Sequence, residues 1–89
     1  MRITIKDLEQ CASTLNNMFD STDKLRAQVG NFHISGAYGG YSLHQITNRG
    51  GERDVLRTGH VPARELYNRM TAYIRGIDDE RLRAKVEAL

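Results

Sequence analysis

The chain has 89 residues and a mass of 10.1 kDa, with 39% hydrophobic and 27% charged residues. That is enough for one modest core, and it excludes a repeat array or a large cofactor enzyme. A net charge of +2 is too small to favour non-specific nucleic-acid binding, a single cysteine excludes an internal disulfide, and no apolar run reaches the roughly 18 residues of a membrane span.

Thr4 and Asp7 have the spacing of a capping box. Behind it Ile5, Leu8, Ala12, Leu15 and Phe19 recur at three- and four-residue steps. This stripe predicts a helix over residues 5–18, ended by the turn cluster Asp20-Ser21-Thr22-Asp23. Cys11 falls among the apolar positions and reads as a core residue rather than a nucleophile. The first ten residues, MRITIKDLEQ, lack the apolar stretch of a signal peptide, so a cytoplasmic protein is expected.

Residues 29–35 contain Val29, Phe32 and Ile34 and predict a first strand, with a loop over 36–40. Residues 41–48 predict a second strand. Gly50-Gly51 predicts a tight turn into a third short strand near 52–57. Three strands joined by short connections form an antiparallel meander. Pro62 suits the first turn of a helix with Ala63, Leu66, Met70, Tyr73 and Ile77 as its stripe. Gly76 reads as the stop of that helix, and Asp78 as the cap of a last short helix bearing Leu82, Val86 and Leu89. The expected fold is α+β in the order α-β-β-β-α-α, with the helices on one face of the sheet. An apolar open sheet face and the 82/86/89 stripe lead us to expect a homo-oligomer.

Charge is unevenly distributed. Residues 1–23 carry a balance of −2, residues 24–64 a balance of +4, and the remainder zero. Ten of the thirteen basic residues are arginine, whose planar fork suits phosphate and carboxylate. Residues 28–60 hold seven of the eight glycines and all three histidines, so chemistry is expected there. Tyr38 and Tyr41 flank Gly39-Gly40, and they read either as a ligand wall or as a hairpin folded onto the sheet. Arg49, Arg53, Arg57 and Arg64 surround the Gly50-Gly51 turn and the start of the Pro62 helix, with Thr58, Gly59 and His60 leading into it. A helix start with arginines and tyrosines nearby suits a phosphate-bearing aromatic ligand. The alternative is that these arginines are solvated or pair with Glu52, Asp54 and Glu65.

Other chemistries find less support. The segment has neither a Walker A lysine nor a Rossmann setting for its glycines. His33, His44 and His60 match no compact zinc spacing, so no metal is expected. His33 and His44 are instead expected to meet across the hairpin as hydrogen-bonding residues. No nucleophile elbow and no catalytic carboxylate pair occur, so no enzyme activity is expected.

Gly30-Asn31-Phe32-His33, Gly36-Ala37-Tyr38-Gly39-Gly40-Tyr41-x-Leu43, Asn48-x-Gly50-Gly51 and Pro62-x-Arg64-Glu65-Leu66-Tyr67 resemble the pattern of small proteins of tailed phages and prophages. The likeness covers about residues 28–77 and brings no catalytic or binding residue with it. It implies an accessory protein acting in the bacterial cytoplasm during infection. The expectation is a counter-defence protein that sequesters a small anionic nucleotide signal. The alternatives are a protein-binding inhibitor of a host defence complex, similar to an anti-CRISPR protein, and a minor phage structural or packaging protein.

Overall fold

The computed structural model describes residues 2–19, 29–48 and 50–88. Its elements are α1 (Ile5–Met18), β1 (Phe32–Ala37), β2 (Gly40–Asn48), β3 (Gly51–Asp54) and α2 (Ala63–Glu87). The strands form one antiparallel sheet in the order β1-β2-β3, so the meander is present. The Asp20–Asp23 turn cluster and Leu89 lie outside the described residues.

Helix α1 begins where its sequence signals it. The Asp7 carboxylate accepts the Thr4 N–H at 2.8 Å, and the Asp7 N–H donates to the Thr4 carbonyl at 3.1 Å. The stripe then buries Leu8, Cys11, Ala12 and Leu15. Leu66 and Met70 of α2 and Phe32 and Leu43 of the sheet complete the core, so both helices cover the same sheet face. Asn16 ties α1 to the sheet directly. Its amide donates to the Phe32 carbonyl at 3.1 Å and its oxygen accepts the Phe32 N–H at 2.7 Å. The side chain thus stands where a neighbouring strand would.

Three expectations need correction. The β1–β2 connection is a two-residue turn, Tyr38-Gly39, and not a loop over 36–40. Both residues have positive φ, +52° and +73°, as a primed hairpin turn requires. The third strand ends at Asp54, before residue 57. Asp54 turns the chain there: its carboxylate accepts the Arg57 N–H at 3.1 Å and the Gly59 N–H at 2.8 Å. Finally, Gly76 does not end a helix and Asp78 does not start one, so the order is α-β-β-β-α. A glycine of ordinary helical φ costs only about 1 kcal/mol relative to alanine, and three contacts hold the helix beyond it. Arg81 donates to the Met18 carbonyl at 2.7 Å and lies 5.1 Å over the Phe19 ring, while Arg83 pairs with Glu80 at 2.7 Å. From residue 78 onward α2 is exposed on all sides, with Leu82 and Val86 in solvent.

Candidate functional site

The turn at Tyr38-Gly39 fixes the β1–β2 pairing on the sheet's second face. It sets His33 opposite His44 and Ser35 opposite Ser42, while Ile34 faces Leu43 on the helix side. Across β2, Ile46 faces Glu52 and His44 faces Asp54. The face away from the helices therefore carries His33, Ser35, Ser42, His44, Glu52 and Asp54, together with Ile46. It is mostly polar, which corrects the expectation of an apolar open face.

Two histidines converge on one carboxylate. His44 Nδ1 lies 2.5 Å from Glu52 Oε1, and His33 Nε2 lies 3.1 Å from Glu52 Oε2. The two rings meet edge to face with centroids 5.8 Å apart. The hydrogen bond from His44, helped by the charge and hydrogen bond of His33, holds the Glu52 carboxyl below its usual range, against a smaller opposing effect of burial. The expectation that His33 and His44 meet across the hairpin holds. The sequence offers Glu52 as a partner for arginines, and the structure instead sets it between the two histidines. The separations 33, 44 and 52 form no recognisable motif, because each residue lies on a different strand.

At the turn end of this face the chain folds back. After Asp54 it loops out through residues 55–60 and returns as Val61, which exchanges two backbone hydrogen bonds with Tyr41 at 2.8 and 2.9 Å. Gly40 permits this return, since a Cβ there would stand 2.9 Å from the Val61 oxygen and 3.0 Å from His60 and Val61 backbone atoms. The returning strand delivers His60 to the polar face. Its Nε2 is 3.3 Å from Ser35 Oγ, and its ring lies 6.2 Å from that of His44 and 6.0 Å from that of Tyr38. Ser42, opposite Ser35, is fully buried, and its hydroxyl has no hydrogen-bond partner among the described residues.

The residues expected to bind a ligand are thus divided. Tyr38, Gly39, Gly40 and His60 meet at the turn end, and Arg57 is on the same returning loop as His60. Tyr41 packs over Gly36 against the core, and so belongs to the helix side. Arg53 also lies on the helix side, donating to Gln45 at 3.0 Å, five residues or about 16 Å along β2 from Gly40. Arg64 is exposed in the first turn of α2. Arg49 lies outside the described residues.

Tyr38 and Arg57 share a further property. They are the two non-glycine residues with positive φ among those described, at +52° and +55°. Tyr38 is 99% exposed, so its ring contributes almost no burial. A left-handed conformation costs a non-glycine residue roughly 1–2 kcal/mol. Stability alone would place asparagine or glycine at both positions.

Among the described residues no helix is long and apolar enough to cross a membrane. Comparison of the chain with protein-family models, curated proteins and solved structures returns no match.

Proposed function

We propose that the protein is a non-enzymatic binding module that takes a small anionic, nucleotide-type ligand at the turn end of its sheet. One observation carries this reading: an aromatic ring and a guanidinium occupy the two left-handed, solvent-facing positions where folding favours neither. Backbone outliers of this kind concentrate where a side chain is held out for use. Tyr38 offers a face for a base, Arg57 a fork for phosphate, and His60, with its ring 6.0 Å from that of Tyr38, a further donor. In the setting that the phage resemblance implies, such a protein sequesters a host nucleotide signal in the bacterial cytoplasm. Self-association through Leu82 and Val86 belongs to the same reading.

Binding a host protein is the second reading. It is favoured by an apolar groove between Phe19, just past the end of α1, and one side of α2, lined by Phe19, Tyr73, Gly76, Ile77, Glu80 and Arg81.

The test separates binding from folding. Tyr38→Asn and Arg57→Gly should leave the melting temperature unchanged or raised, because each relieves a left-handed non-glycine residue. Stacking a base on tyrosine contributes about 1–3 kcal/mol, and a charge-assisted phosphate contact about 1.5–3 kcal/mol. Each variant should therefore lose about tenfold to a hundredfold in affinity for cyclic dinucleotides or ADP-ribose by calorimetry. The Arg57 loss should shrink with added salt, and the Tyr38 loss should not. Wild-type protein that binds none of these compounds refutes the nucleotide reading and leaves the protein-binding one.

A further inference from the structure

We propose that His33, His44 and Glu52 form a binding site for one first-row divalent cation of the zinc type. The three side chains come from three strands and meet on the polar face. One ligand atom from each lies within 4.8 Å of the other two. Zinc bonds imidazole nitrogen and carboxylate oxygen at about 2.0–2.2 Å, so neighbouring ligand atoms of a tetrahedral ion stand roughly 3.3 Å apart. The His33–Glu52 separation of 3.1 Å is close to this value, whereas His44 Nδ1 and Glu52 Oε1, at 2.5 Å, must move apart to admit the ion. That adjustment is within reach of small side-chain rotations, because Glu52 is 43% exposed on the short edge strand.

The surroundings suit a cation. None of the described strand residues that share this face with His33 is lysine or arginine, and Arg53 is turned to the helix side by its bond to Gln45. Asp54 adds a negative charge nearby, its oxygens already accepting the Arg57 and Gly59 N–H groups. Cys11 is buried under α1 on the opposite side and plays no part. Two imidazoles with one carboxylate favour zinc, cobalt, nickel or copper over magnesium and calcium, which seek all-oxygen sites. Three protein ligands leave a fourth position open to solvent.

This site adjoins the Tyr38–His60 end, since the His44 and His60 rings lie 6.2 Å apart, and the two are therefore tested apart. Metal is titrated without nucleotide, and nucleotide is titrated in the presence of EDTA. Untagged, EDTA-treated protein is titrated calorimetrically with zinc chloride at about pH 7.5, where free imidazole is neutral. Cobalt is followed in parallel by its visible absorption. We expect one ion per chain with micromolar or tighter affinity, and no heat with magnesium or calcium. His33→Ala, His44→Ala and Glu52→Gln should each weaken zinc binding by about tenfold or more. Circular dichroism checks each fold. If a histidine variant unfolds, Glu52→Gln decides, since it keeps the side-chain shape at an exposed position. Wild-type protein that binds no zinc, binds magnesium equally well, or loses no affinity in Glu52→Gln overturns the proposal.

Discussion

A methyl group added at Gly40 should destabilise the protein, and the same methyl added at Gly76 should stabilise it. At Gly76 a Cβ meets nothing within 4 Å and the backbone is helical. Alanine there removes the entropic cost of a helical glycine, a gain of about 0.5–1 kcal/mol. In a domain of this size that raises the melting temperature by about 2–8 °C. At Gly40 the new Cβ would press on the Val61 oxygen at 2.9 Å and on the His60 carbon and Val61 nitrogen at 3.0 Å. All three are backbone atoms and cannot rotate away. Overpacking of this kind costs about 1–3 kcal/mol. Shedding the two Tyr41–Val61 hydrogen bonds instead, at about 0.5–1.5 kcal/mol each, costs a similar amount. The smaller unfolded-state entropy of alanine returns about 0.4–1 kcal/mol, so the net loss is centred on about 1.3 kcal/mol and reaches about 2.6 kcal/mol. Thermal melts followed by circular dichroism read both variants. A Gly40→Ala variant as stable as wild type would show that the chain does not return against the hairpin. A destabilised Gly76→Ala variant would show that α2 breaks at that residue.

Three further outcomes follow from the same geometry. Asn16→Ala removes both side-chain bonds to the Phe32 backbone, and urea titration should show a loss of about 1–3 kcal/mol; an unchanged midpoint would mean that α1 does not clamp the start of β1. Burial pushes the Cys11 thiol above its ordinary range, and the charge of Asp7 adds to this. The thiol's contribution to stability is full below the unfolded thiol value and is lost as pH rises through the raised folded value. Urea midpoints of wild type should therefore fall more steeply than those of Cys11→Ala from about pH 8.5 upward, and equal slopes would contradict this. Light scattering at micromolar concentration should return a mass above that of one 10.1 kDa chain, and Leu82→Lys with Val86→Lys should restore the single-chain mass. A wild-type monomer would remove self-association from the account.

The span and start of helix α1 could be read, because the Thr4–Asp7 box and the inner stripe Leu8, Ala12 and Leu15 are local signals, whereas Ile5 and Phe19 at the ends of the expected stripe are exposed. The meander was equally visible, but its register was not. A loop centred on Tyr38 and a turn centred between Tyr38 and Gly39 differ by one residue in pairing, and that difference decides whether His33 meets His44. Tyrosine disfavours the left-handed conformation that the shorter turn needs, so the sequence pointed to the longer loop. The end of α2 was misread for a related reason. Gly76 and Asp78 have the chemistry of a stop and a cap, and the contact that carries the helix past them runs from Arg81 to Met18, 63 positions away in sequence. Likewise Glu52 joins the histidines only through the β2–β3 register, and His60 joins them only because Asp54 bends the returning loop.

The central claim is that Tyr38, Arg57 and His60 form a binding surface at the turn end of the sheet. Nitrogen-15 NMR of the labelled protein, titrated in EDTA with ADP-ribose and then with a cyclic dinucleotide, tests it most directly. The account predicts that the amide signals of residues 38–40 and 57–60 move with one of these ligands, while those of Leu8, Cys11 and Met70 stay in place. Signals that remain fixed with both ligands, or that move only around Phe19, Tyr73 and Ile77, would contradict it.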